Sequence, residues 1–127
     1  MYIKGNGTIA VSNKGVRINT HIDVCKYYQW HITKYHYNTV KTQLPKYKAH
    51  ITIVNPDIHK ICDFKAVAHL NGRKVEFEYD PERMFRSRVN FWMPVKFDLE
   101  KEIKQILSIK DGKKYLGLHI TVCNMKF

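Results

Sequence analysis

The stretch His50-Ile51-Thr52-Ile53 decides how we interpret this chain, and it has a counterpart at His119-Ile120-Thr121-Val122. Each stretch alternates polar and apolar residues, which is typical of a strand with one buried face. In a strand, residues i and i+2 point to the same side, so each histidine and its threonine project together. The apolar residues between them point the other way, into a core. Each strand therefore presents one imidazole and one hydroxyl on a rigid support.

Two such strands facing one groove would suit the cleavage of a phosphodiester. One neutral imidazole can accept a proton from the attacking hydroxyl or water, and the other, protonated, can donate one to the leaving oxygen. The threonine hydroxyls can hold the non-bridging oxygens. We predict four catalytic residues, no metal and no cofactor: His50, Thr52, His119 and Thr121. The sequence leaves open which histidine is the acid, and whether the nucleophile is water or a ribose 2′-hydroxyl.

A third copy of the tripeptide, His31-Ile32-Thr33, lies where the apolar residues follow the period of a helix. On a helix, residues two apart diverge by about 200°, so His31 and Thr33 are not expected to address one phosphate together. Metal binding is not indicated either. His31 and His36 are five residues apart, not the three or four that share a helical face.

Composition limits the classes of partner. Lysine and arginine total 22 against 11 acidic residues, and the resulting net charge of +11 favours a polyanionic ligand. The three cysteines, Cys25, Cys62 and Cys123, are widely spaced and form no CxxC pair, so we expect a reducing cytosol. The first residues carry no apolar signal core, and no apolar run is long enough to cross a membrane. We therefore expect a soluble, cytoplasmic protein with no membrane partner.

Alternation and turn residues predict five further strands. They are residues 8–11, 16–19, 64–70, 74–79 and 88–97. Ser12-Asn13-Lys14-Gly15 provides a turn between the first two, and Asn71-Gly72 is a strong hairpin signal between the third and fourth. Residues 80–87 follow as a polar loop. The strands that carry the two His-Ile-Thr tripeptides are expected at residues 48–55 and 116–124.

Two segments follow the helical period. The first is expected to start at Thr20, a suitable N-cap, and the second at Asp98, with its end at Asp111-Gly112. The resulting order is β-β-α-β-β-β-β-α-β. It predicts one α+β domain, residues 1–127, in which two helices pack outside an antiparallel sheet.

The two tripeptides, each followed by an apolar residue, resemble the signature of the 2H phosphoesterase superfamily. That signature is His-Φ-Thr/Ser-Φ, with Φ apolar, on two strands. The resemblance implies a single-domain fold with two sheet lobes around a central groove. It also implies metal-free cleavage of cyclic phosphates or of 2′–5′ and 3′–5′ linkages, with the four residues named above at the catalytic positions.

Within that superfamily the chain is similar to the bacteriophage anti-CBASS hydrolases, which degrade the cyclic di- and trinucleotides of bacterial antiviral signalling. Four stretches carry the similarity: residues 23–30, 50–54, 90–95 and 117–124. The resemblance implies a cyclic oligonucleotide substrate and action in the host cytosol. Similar family members continue beyond the position that matches Phe127, which leaves base recognition and substrate range open.

Six side chains are weaker candidates for substrate binding: Lys48, Tyr79, Phe85, Arg86, Trp92 and Tyr115. Tyr79, Phe85 and Arg86 lie at or in the loop of residues 80–87, where arginine and aromatic side chains together suit a lid over a nucleotide. Trp92 occupies a strand position that is more often in a core. Lys48 and Tyr115 flank the two tripeptides.

Two other interpretations remain open. A 2H phosphodiesterase with the same site would act on RNA 2′,3′-cyclic phosphates or 2′–5′ oligoadenylates. A basic RNA-binding module without catalysis would use the same positive charge, and its affinity would fall steeply with salt. The RNA-binding interpretation does not explain why two matched His-Ile-Thr tripeptides lie on strands. For the enzyme we expect no stable nucleic-acid partner, and either a monomer or a small homo-oligomer.

Overall fold

The computed structural model describes residues 1–60, 63–110 and 117–126. Eight strands of this described part form one antiparallel sheet. They are β1 (Ile3–Ser12), β2 (Gly15–Thr20), β3 (Thr42–Gln43), β4 (His50–Val54), β5 (Lys74–Tyr79), β6 (Phe85–Arg86), β7 (Asn90–Lys96) and β8 (His119–Met125). The order is β3-β8-β4-β2-β1-β5-β7-β6, and an additional pairing of β7 with β8 closes the sheet on itself.

The described helical segments of four or more residues are α1 (Asp23–Tyr35), α2 (Pro56–His59), α3 (Glu100–Ile106) and a 3-10 helix (Lys65–Leu70). Three of them contribute buried side chains to the core on the apolar face of this sheet, and the four-residue α2 contributes none. One buried cluster joins side chains of the strands, among them Ile18, Ile51 and Ile120, to Cys25 of α1 and Ile103 of α3. The α+β class with an antiparallel sheet is thus confirmed. None of the described helices is both long enough and apolar enough to cross a membrane.

Both long helices begin later than predicted. The N-cap of α1 is Ile22, without a side-chain cap, because Thr20 is still the last residue of β2. The hydroxyl of Thr20 instead donates to the carbonyl of Asn6, at 2.8 Å. The N-cap of α3 is Leu99, not Asp98. Since α3 ends at Ile106, the predicted stop at residues 111–112 is not its end, and those two residues lie outside the described part.

The predicted hairpin of residues 64–70 and 74–79 is wrong in its first half. Phe64, Val67 and Leu70 are buried and three residues apart, which is the period of the 3-10 helix that forms there. Asn71 and Gly72 are tied to β1 and not to a hairpin partner. The Oδ1 of Asn71 accepts from the Val11 backbone N–H at 2.9 Å. β5 therefore pairs with β1 and β7.

The loop predicted at residues 80–87 is more ordered than expected. It contains a 3-10 turn, Pro81–Arg83, and the short strand β6, which pairs with β7. The side chain of Asp80 accepts from the backbone N–H of Glu82 at 3.0 Å and so caps the turn. This segment therefore places Phe85 directly against the β7–β8 part of the sheet.

Candidate active site

The two motif strands lie side by side. Ile51 of β4 pairs with Ile120 of β8, and both side chains are fully buried. Because side chains alternate along a strand, the residues before and after each isoleucine project from the opposite face. The four predicted catalytic side chains therefore share one face of two adjacent strands: His50, Thr52, His119 and Thr121. The antiparallel direction also relates the two tripeptides by an approximate two-fold axis through the isoleucine pair.

Each motif strand carries an extra residue directly after its threonine. The pairing of β4 with β2 shifts at Ile53, and the pairing of β8 with β7 shifts at Val122. Both residues are unpaired in those ladders and almost fully buried. Such bulges bend a strand and re-aim the neighbouring side chains, and they are common beside active sites. The two tripeptides thus end in the same local structure.

The two imidazoles are oriented in the same way. The Nδ1 of His50 lies 3.2 Å from the Lys48 carbonyl oxygen, and the Nδ1 of His119 lies 3.3 Å from that of Gly117. A carbonyl only accepts, so Nδ1–H is the donor and Nε2 is left for chemistry. Lys48 and Gly117 both have positive φ, of 64° and 80°. For each motif strand, the residue two positions before the histidine has a left-handed backbone conformation, and its carbonyl fixes the orientation of the histidine ring.

The third tripeptide shares none of this geometry. His31 and Thr33 lie in α1, and the hydroxyl of Thr33 donates back to the carbonyl of Gln29 at 2.9 Å. The ring of His31 is exposed and contacts the rings of Tyr27 and Trp30. This copy matches the motif in sequence only.

A cationic side chain that sequence analysis missed lies beside the site. Arg17 of β2 pairs with Thr52 of β4, and directly opposite residues project from the same face. Burial lowers the pKa of His50, and the positive charges of Arg17 and His119 lower it further, against the bond to the Lys48 carbonyl. His50 is therefore held in its neutral form at neutral pH. The same pairing places Asn19 opposite His50.

Aromatic side chains border the site on the other side. Trp92 of β7 pairs with Thr121, and its ring centroid lies 5.4 Å from that of His119. Trp92 is half-buried on the polar face of the sheet and not in the core, so the core position that its strand pattern favours is wrong. The ring of Phe85 stacks on Trp92, with 4.6 Å between centroids and 25° between planes. Phe85 is 44% exposed, so this stack offers an open aromatic surface next to His119.

Two of the weaker candidates are not brought to this face. The Arg86 guanidinium lies 5.3 Å from the ring centroid of Phe91, a core residue on the opposite face. The ring of Tyr79 packs against Tyr28 of α1, 6.0 Å between centroids. The side chain of Lys48 is exposed, and its carbonyl is the group that reaches the site. Tyr115 lies outside the described residues.

The two described cysteines are unsuited to act as nucleophiles. Burial raises the pKa of Cys25 to about 12 and that of Cys123 to about 11, so both stay thiols at neutral pH. The Sγ of Cys25 lies 3.4 Å from the Thr121 carbonyl oxygen and donates to it. This contact joins α1 to β8 at Thr121, one of the four residues predicted to be catalytic. The third cysteine, Cys62, is not among the described residues.

Within the described part of the chain, no three His, Cys, Asp or Glu side chains form a group that could hold a metal ion. No family model, curated protein or solved structure matches this chain. The chemistry of the site is therefore inferred from the arrangement of its own side chains.

Proposed function

We propose that this protein is a metal-independent phosphodiesterase that uses two histidines as acid and base on one phosphodiester. The observation that carries the proposal is the duplicated geometry around the Ile51–Ile120 pair. Each tripeptide has the same left-handed entry, the same Nδ1 bond to a carbonyl and the same bulge after the threonine. A polar strand face without a function would not require this agreement in three independent features.

The chemistry follows from the free Nε2 atoms. The nucleophile, a water or a ribose 2′-hydroxyl, loses its proton to one neutral imidazole as its oxygen bonds to phosphorus. The bond from phosphorus to the leaving oxygen breaks, and the other imidazolium donates a proton to that oxygen. The hydroxyls of Thr52 and Thr121 donate to the non-bridging oxygens as negative charge develops. The charge of Arg17 stabilises the same oxygens.

The acid and base roles can be divided between the histidines. His50 is the base, because burial and the nearby positive charges keep it neutral. The acid role then belongs to His119. Its ring lies against Trp92, and the carbonyl of Gly117 fixes the Nδ1–H so that Nε2 carries the transferable proton.

The substrate we propose is a cyclic di- or trinucleotide, with evasion of nucleotide-based antiviral signalling as the role. Three features support it. The net charge of +11 attracts an oligophosphate, the Phe85–Trp92 stack suits a nucleobase, and the sequence resembles the anti-CBASS hydrolases.

A substrate panel in excess EDTA tests this proposal. It contains cyclic di- and trinucleotides, linear 2′–5′ oligoadenylates and RNA with a 2′,3′-cyclic end, and the products are followed by chromatography. We expect the cyclic oligonucleotides to be opened at the same rate with and without EDTA. If only the linear oligoadenylates or the RNA with a cyclic end were cleaved, the substrate would instead be RNA 2′,3′-cyclic phosphates or 2′–5′ oligoadenylates. Loss of activity in EDTA, or salt-dependent RNA binding without any cleavage, would contradict the mechanism.

The pH dependence offers a separate prediction. His50 must be neutral to act as base, so kcat/KM should fall on the acidic side as His50 gains its proton. Because Arg17 lowers the pKa of His50, Arg17→Gln raises that pKa and moves the acidic limb to higher pH. The measurement is the pH profile of kcat/KM, whose limb position does not depend on how much the maximal rate falls.

Lys101→Gln is the matched control for this variant. Lys101 is exposed on α3 and its loss changes the net charge by the same amount. We expect its acidic limb to coincide with that of the unmodified protein. If the acidic limb of the kcat/KM profile stays in place or moves to lower pH in Arg17→Gln, His50 is not the base.

A further inference from the structure

A cavity of about 650 Å³ lies on the catalytic face of the sheet, beyond the motif strands. Its volume falls within the range of about 300–1,000 Å³ that is typical of small-molecule sites. Its polar lining comes from β1, β2 and β5, with Asn6, Thr8, Asn19, Thr20, Lys74 and Glu76, and from His21, the residue after β2. None of these residues has a part in the proton transfers described above.

A continuous row of side chains connects this cavity to the catalytic centre. Lys74 of β5 pairs with Thr8 of β1, Thr8 pairs with Asn19 of β2, and Asn19 pairs with His50 of β4. Directly opposite residues project from the same face, so the row runs across four strands on one side of the sheet. With neighbouring strands about 4.8 Å apart, Thr8 lies about 10 Å from His50.

The same row continues on the other side of His50. The Ile51–Ile120 pair places His50 beside Thr121, Thr121 pairs with Trp92, and Trp92 pairs with Phe85. Trp92 is again two strand spacings, about 10 Å, from His50. The catalytic centre therefore lies midway between an aromatic end and a polar end.

We infer that this site binds a nucleoside on each side of the scissile phosphate, one against the Phe85–Trp92 stack and one in the polar cavity. The inference rests on the proposed phosphodiesterase function and adds to it the place where each of the two nucleosides binds. Amides, hydroxyls, an imidazole, a carboxylate and an ammonium together supply donors and acceptors for a base edge and ribose hydroxyls. A terminal cyclic phosphate has only one nucleoside and would leave one end of the row empty.

Two ligands distinguish a site for two nucleosides from a site for one. Cyclic di-AMP has a nucleoside on both sides of each phosphate, and adenosine 2′,3′-cyclic phosphate has one. Loss of a charged hydrogen bond costs about tenfold or more in affinity, so Lys74→Gln should raise KM for cyclic di-AMP about 10-fold more than for the mononucleotide. Thr8→Val removes only a hydroxyl from an exposed strand position and should give a smaller difference of the same sign, about 5-fold.

The control is Lys101→Gln, which removes the same charge from an exposed position on α3 that does not line the cavity. It should change KM for the two ligands equally. A second measurement does not need turnover. It is the Kd of each variant, measured by calorimetry, for a phosphorothioate analogue of cyclic di-AMP that resists hydrolysis. Cleavage with no selective loss in Lys74→Gln and Thr8→Val overturns the cavity assignment alone. Selective loss of binding without any cleavage supports the cavity and overturns the proposed phosphodiesterase.

Discussion

Replacing either of the proposed catalytic histidines with alanine, as His50→Ala or His119→Ala, should lower kcat by about 10²–10⁴-fold, the usual contribution of general acid or base catalysis. The double variant should be little slower than the worse single variant, because residues that act as a unit are not additive. Single-turnover rates on a cyclic dinucleotide measure the chemical step directly. The rings are only partly buried, and each is held by a bond to a backbone carbonyl, so either variant should lose only about 1–2 kcal/mol of stability.

The chain provides its own control for this experiment. His31→Ala removes the histidine of the third His-Ile-Thr copy, which lies exposed on α1. Its kcat should stay within about 2-fold of the unmodified protein, as expected for a surface substitution. Full activity in His50→Ala or in His119→Ala, or an equal loss in His31→Ala, would remove the basis for a two-histidine site.

A change of leaving group distinguishes the two histidines. A nitrophenyl phosphodiester releases a stable phenolate that needs no proton, so a general acid contributes little to its cleavage. His119→Ala should then lose much less activity on this substrate than on a nucleotide, and His50→Ala should lose activity on both. The reverse pattern would exchange the acid and base roles.

Local patterns were enough to predict which residues share a strand face. Alternation placed His50 with Thr52 and His119 with Thr121, and the turn at residues 12–15 predicted the β1–β2 hairpin. Helical geometry also set aside the copy at His31. These features depend on a few neighbouring residues, so they can be read without knowing the fold.

Features that depend on partners distant in the sequence could not be read in this way. Nothing local shows that β2 lies beside β4, so Arg17 and Asn19 were missed although their own strand was predicted. The same is true of Trp92, whose half-buried position is compatible with a core until its pairing with Thr121 is known. Thr20 is a suitable N-cap residue, but its pairing with Gly7 of β1 keeps it in β2, and its hydroxyl donates to the Asn6 carbonyl.

Gly15→Ala should be the most destabilising single methyl addition at a described glycine with positive φ. Gly15 has φ of +112°, and an added Cβ would lie 2.1 Å from the Val54 carbonyl oxygen. Backbone strain of this kind costs about 1–3 kcal/mol, and the overlap with backbone adds to it. We expect the free energy of unfolding to fall by about 3–4 kcal/mol in urea denaturation, a large share of the about 5–15 kcal/mol typical of a domain.

Gly72→Ala separates strain from overlap. Gly72 also has positive φ, +84°, but an added Cβ would meet nothing within 4 Å. Its cost should be about 1–2 kcal/mol, from strain alone. The difference in unfolding free energy between the two variants therefore measures the contact of the β1–β2 turn with the end of β4.

The two variants should also differ in activity. Val54 is two residues beyond Thr52, so relief of the overlap by movement of β4 would displace the His50-Ile51-Thr52 tripeptide from its partner on β8. Gly15→Ala should then lose activity per folded molecule, while Gly72→Ala keeps it. Equal stability losses in the two variants would show that this contact does not hold the motif strand in place.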